Sequence, residues 1–207
     1  MARVRTSQVS AAADCIGDIS PGMSRFMLTF GDFSEIDAIE HVVRQIGPCF
    51  VTIWTWVVAQ HELTVLRGLL DSGAITGARL VVDIAAERGS VRGRAGDCGD
   101  MCATWRGMFG AESVRVCKNH SKMVRFEGAA HRVLLRGSMN CNQNPRCEQL
   151  DITEGGPDFD LVSRIESELP TLRPGCSTSE AVTATKLGNA FELSELAMFK
   201  GVRPWAK

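Results

Sequence analysis

Between residues 34 and 85 the chain alternates twice between a helical and an extended pattern, and no other feature constrains its fold as strongly. Ile36, Ile39, Val42, Val43 and Ile46 fall at helical spacing behind the Ser34-x-x-Asp37 capping pair, and Gly47-Pro48 ends that helix. Residues 49–58 are rich in β-branched and aromatic side chains and read as a buried strand. A second helix fits 62–72, with Leu63, Leu66, Leu69 and Leu70 as its apolar face and Gly73 as its stop, and 79–85 reads as another buried strand. Strands of this continuous apolar kind, joined through helices, predict an α/β fold. We expect a mixed, mostly parallel central sheet flanked by helices on both faces.

Further on, four glycines in 89–99 mark a loop, and a short helix fits 101–109. Strand patterns follow over 113–126, 131–140 and 148–153, then a helix over 160–169 that stops at Pro170. Residues 1–25 show no sustained period and a Pro21-Gly22 turn, so they are expected as a flexible N-terminal arm. Residues 26–170 form the domain. Beyond it, 171–207 is a tail with one amphipathic helical stretch over 179–199, a short helical appendage to the core. A chain of 207 residues leaves no room for a second large domain.

The balance of 23 basic against 24 acidic residues removes any bulk electrostatic case for nucleic acid, so a basic surface must be local. Residues 86–136 carry ten Arg or Lys against five acids, whereas 151–198 carry nine acids against three bases. The middle of the chain is therefore where an anion would be met. The longest apolar run, 49–59, is interrupted by threonines and is far below the ~20 residues that cross a bilayer. The first residues lack the apolar block of a secretory signal, and the expected compartment is cytoplasmic, with no membrane partner. Eight scattered cysteines do not suggest a disulfide framework in a chain of this length.

The chemistry concentrates in Asn119-His120-Ser121-Lys122, Arg136-Gly137-Ser138-Met139-Asn140 and Glu148. On a strand, residues two apart share a face, so His120 and Lys122 are expected to point together. Residues 127–131 offer a hairpin turn. With Phe126 opposite Arg132, that hairpin sets Lys122 against Arg136, His120 against Ser138 and Lys118 against Asn140. An imidazole, an ammonium and a carboxamide that converge in this way suit a phosphodiester. Lys122 and Asn140 would hold the non-bridging oxygens as charge develops, and His120 can attack phosphorus. Glu148, with Ser138, is the candidate to hold the imidazole in the right tautomer. Arg136 and Lys118 are the candidate contacts for further phosphates.

His120-x-Lys122, followed by Gly137-Ser138-x-Asn140 and then an acid, resembles the signature of the phospholipase D superfamily, His-x-Lys-x4-Asp-x6-Gly-Ser-x-Asn. Glu127 stands where the family has Asp, and nine residues instead of six separate it from Gly137. The resemblance spans roughly 34–170 and implies that the motif acid serves structure more than chemistry. It implies a phosphohistidine at His120 and, because family members use two such motifs and this chain has one, a homodimer with His120 of each subunit facing across a two-fold axis. It also implies a reaction that needs no metal or other cofactor. The expected activity is that of a nuclease with nucleic acid, DNA favoured, as substrate. RNA and phospholipid remain open as alternatives. A compact single-motif domain with tails is also similar to proteins carried by bacteriophages.

Two other readings compete. Cys98, Cys102, Cys117 and His120 have the ligand types of a structural zinc site. A catalytically silent nucleic-acid-binding or assembly module would keep the fold and use Arg136, the basic segment and Trp105 for phosphate contacts. Trp54 and Trp56, on a buried strand, are expected in the core.

Overall fold

In a computed structural model of the protein, residues 8–83, 97–142 and 146–169 are described. The expected α/β class is what forms. A seven-stranded mixed sheet has the order β1-β7-β6-β5-β2-β3-β4. Its strands are β1 (Ser24–Thr29), β2 (Cys49–Trp54), β3 (Ile75–Asp83), β4 (Val114–Cys117), β5 (Met123–Gly128), β6 (Arg132–Gly137) and β7 (Glu148–Glu154). The expected preponderance of parallel pairs does not hold. Only β2–β3 and β3–β4 pair parallel, and the other four contacts are antiparallel. The reason is connectivity. α3 (Gln60–Asp71) and α4 (Asp97–Phe109) return the chain between β2, β3 and β4, but among the described residues no helix separates β5, β6 and β7, and those strands reverse direction.

One face of the sheet carries the main core. Val51, Ile53, Leu80, Val82, Val116, Phe126, Leu135 and Ile152 pack there with residues of α2 (Glu35–Ile46), α3 and α4. Trp105 lies in this core, wholly buried and packed on Phe109, so it is not available for the phosphate contacts it was a candidate for. Residues 9–16, which show no sustained period in the sequence, form α1 (Val9–Ile16) and bury Val9, Ala12 and Ile16. On the opposite face α5 (Pro157–Glu168) sets Phe159 and Val162 on Leu134. It also sends Glu166 to Arg125 and to the Trp54 indole. The outer strand β1 leaves Phe26 and Leu28 exposed.

The extended pattern over 113–126 divides in two. β4 ends at the sheet edge with Cys117, and the chain then crosses the ends of β3 and β2 before β5 begins beside β2. The β5–β6 register is also one residue from the one expected. Met123, not Lys122, stands opposite Arg136, and Phe126 faces Val133. His120 and Lys118 are consequently outside the ladder and have no strand partner in Ser138 or Asn140. Burial explains the choice. The observed register pairs Phe126 with Val133, both completely buried, where the expected one would set Phe126 against the exposed Arg132. Gly128 N donates to His131 O at 2.9 Å, so the turn is only Ala129-Ala130. Most of the nine residues between Glu127 and Gly137 are therefore strand and not turn.

Among the described residues no helix is long and apolar enough to cross a membrane. The tail over 171–207, most of the loop expected over 89–99, and residues 1–7 of the expected arm lie outside the described residues.

Candidate active site

β1, β2, β3, β4 and β6 all run toward one end of the sheet, and β5 and β7 start there. That end collects the motif residues. In α/β sheets the carboxyl ends of strands are where loops gather into sites, and here the crossing segment 118–122 lies over them.

Asn119 fixes that segment. Its side-chain amide donates to Thr55 O at 3.4 Å and Val81 O at 3.1 Å, and its Oδ1 accepts from Ser121 N at 2.8 Å. Its own N–H reaches Asp83 Oδ2 at 3.1 Å. A single buried carboxamide thus ties the crossing chain to the ends of two strands, and so sets where His120 and Lys122 emerge. Replacing Asn119 by alanine would leave two carbonyls and an amide without those partners. We expect a loss of about 2–3 kcal/mol, read as a lowered urea midpoint, with activity falling alongside. Lys118→Ala, at an exposed position, should leave the stability within about 0.5 kcal/mol of the parent.

His120 is exposed, and Lys122 is buried beneath it. Lys122 Nζ donates to His120 O at 2.6 Å and lies 3.2 Å from His120 Nδ1. The two side chains meet as expected, but through a turn of irregular backbone and not along a strand face. Burial pulls the Lys122 ammonium below its ordinary pKa, while the charges of Glu35 and Glu148 act the other way. Glu148, at the start of β7, is buried and accepts a hydrogen bond from Ser138 Oγ, which in turn accepts from Gln149 N at 3.1 Å. The structure therefore joins Ser138 to Glu148, and sets the Glu148 charge near Lys122. Asn140 is half-buried, and its Oδ1 accepts from Trp56 N at 3.3 Å.

The glycine of Gly137-Ser138 has a steric reason. A Cβ there would stand 2.6 Å from Gln149 O, because β6 and β7 close tightly at the site, with Ser138 N donating to that same carbonyl at 3.2 Å. Glu127 lies at the other end of β5, exposed, and accepts from Arg125 Nη1 at 2.8 Å. Arg136 is held by Asp158 and stands 3.6 Å from Asp151, and it lines a shallow cleft with Ser121, Lys122, Gly137 and Gln149. Lys118 is exposed.

Two groups escaped the sequence reading. Trp54 is buried as expected, but β2 ends there, and Trp56 emerges half-buried with its ring centroid 5.3 Å from that of His120. Its position in an apolar run hid this. Glu35, an acid in the first turn of a helix that the sequence reading does not single out, is 1% exposed at the site end of the sheet. As for zinc, no three His, Cys, Asp or Glu side chains converge on one point among the described residues. Burial, with Asp83 nearby, pushes the Cys117 thiol up to about 12, which opposes the thiolate a metal needs. The Cys98 side chain lies outside the described residues.

No family model and no curated protein matches the chain. Solved structures do. NucT from Helicobacter pylori is 14% identical with a TM-score of 0.43, over 70% of this chain and 92% of that one. A phosphatidylserine synthase from Haemophilus influenzae matches at 14% identity and a TM-score of 0.47, over 84% of this chain and 46% of that one. A polyphosphate kinase from Porphyromonas gingivalis matches at 15% and 0.46, over 90% and 32%. At these identities and TM-scores the likeness says nothing of the chemistry.

Proposed function

We propose that this chain is a phosphodiesterase of the phospholipase D type, a nuclease that acts as a homodimer and needs no metal. One observation carries the reading: an exposed imidazole with a buried lysine amine 3.2 Å from its Nδ1, at the same sheet end as Asn140 and the Ser138–Glu148 pair. Lys122 and Asn140 hold the non-bridging oxygens, where their donors gain strength as charge builds in the transition state. Arg136 and Lys118 meet neighbouring phosphates of the substrate, DNA in preference to RNA or phospholipid.

The step itself is a double displacement. A His120 nitrogen attacks phosphorus, the bond to the leaving oxygen breaks, and that oxygen takes a proton from a second imidazole. Water, deprotonated by that second group, then splits the P–N bond and releases a phosphomonoester and free His120. One imidazole cannot be nucleophile and proton donor at once, hence the second copy of the chain. With Nδ1 accepting from Lys122, a neutral ring carries its proton on Nε2, whereas the proton donor is the imidazolium, protonated on both nitrogens. The nucleophile needs its proton on Nδ1 and a free Nε2, and Glu148, joined to Ser138, is the proposed acceptor for that Nδ1–H.

The test is incubation with plasmid, single-stranded DNA and RNA in excess chelator. Cleavage that persists at the rate found without chelator is the expected result. A well-folded dimer that binds these substrates and cuts none of them would make the protein a silent binding module.

A further inference from the structure

Glu35 is a buried carboxyl that neither the fold nor the chemistry above uses. Capping of α2 is done by its neighbours: Asp37 Oδ2 accepts from Ser34 N at 2.9 Å and from Ser34 Oγ at 2.6 Å. Glu35, the first residue of the helix, turns into the protein, where its Oε2 has no hydrogen-bond partner among the described residues. The groups around it come from three other elements. The Cys141 thiol, just after the Gly-Ser-x-Asn segment, hydrogen-bonds to it, and the charges of Lys122, on the crossing segment, and Glu62, also 1% exposed and on α3, act on it. Burial pushes its pKa up to about 8, and Glu62 adds to the rise, while Cys141 and Lys122 pull it down. Lys122 thus answers to two carboxyls, Glu35 and Glu148, as well as to His120.

We propose that Glu35 is a positioning residue for Lys122, whose protonation sets how much of that lysine's charge the pocket offers to a phosphate. Protonated, it steadies the amine without claiming its charge. Ionised, it competes with the incoming phosphate for the same ammonium and repels it. This inference rests on the phosphate-binding reading of the site and adds a group that acts through Lys122 without touching substrate.

The probe is inorganic phosphate, and the readouts are its dissociation constant by calorimetry and the rise in Tm it causes in the full chain. Both are independent of turnover. For the parent, phosphate affinity should fall about tenfold between about pH 7.5 and about pH 9, and for Glu35→Gln by less than about twofold. Glu35→Met, similar in length and unable to ionise, repeats the comparison if the glutamine variant folds poorly. Parent and variants that lose affinity in parallel would overturn the role of Glu35 while leaving the pocket intact, provided Lys122→Ala abolishes the binding. Phosphate that binds none of them, or binds Lys122→Ala as well as the parent, would overturn the pocket itself and this inference with it.

Discussion

Replacing His120 by alanine should reduce phosphodiester cleavage to background, a loss on the order of 10⁴-fold or more, with the fold intact and substrate binding within about threefold of the parent. The side chain is exposed, and its side-chain contacts are with Lys122 and the edge of Trp56, so its removal opens no core cavity and leaves no buried group unpaired. The comparison with Lys122→Ala is informative. That variant should also lose turnover, but with a weaker hold on phosphate and a larger effect on stability, since Lys122 is buried. Because the two act as one unit, the double variant should be little worse than either alone.

The same variant tests the second copy. If one turnover consumes an imidazole from each subunit, dimers re-formed from equal amounts of parent and His120→Ala chains should show about one quarter of the parent activity. If each subunit works alone, they should show about one half. A result near one half, or activity that runs with a monomer in sedimentation, would leave the leaving-group proton to another donor in the same chain.

How much of this was legible beforehand divides along a physical line. The helices over 35–46 and 60–71 and the strand at 49–54 were visible because burial imposes a period on apolar residues, and the Ser34/Asp37 cap marks its helix in any context. The sheet's direction was not visible, since period and propensity say nothing of which strand pairs with which. The break between β4 and β5 was hidden for a related reason. Val114, Val116, Val124 and Phe126 are all buried, so one alternating pattern runs through the crossing segment that carries His120. The one signal of it in the sequence is Asn119, a residue suited to closing local turns through its own amide. Glu35 shows the limit from the other side. An acid in a first helical turn is ordinary, and only the packing of α3 and the site-end loops against α2 turns it into a buried group.

Glu166→Ala should be the most destabilising single change outside the main core, at about 3–5 kcal/mol. Its carboxylate has no exposed surface and accepts from Trp54 Nε1 at 2.9 Å and Arg125 Nε at 2.7 Å, with Arg125 Nη2 also at 2.7 Å. Arg125 is 5% exposed and lies over the Phe159 ring at 5.2 Å, so it cannot turn out to water once its partner has gone. Burial alone would weaken its hold on its proton, and Glu166 together with Glu127 outweighs that. Removing Glu166 therefore leaves a guanidinium in an apolar layer with only the exposed Glu127 to answer it, and an indole N–H with no acceptor. The cost should be readable as a lower urea midpoint with an unchanged slope. Most of it is the penalty of the orphaned cation and not the worth of the pair. Arg125→Met combined with Glu166→Leu should thus lose less than Glu166→Ala alone. If the double variant is instead the less stable of the two, the pair is contributing net binding energy between α5 and the sheet.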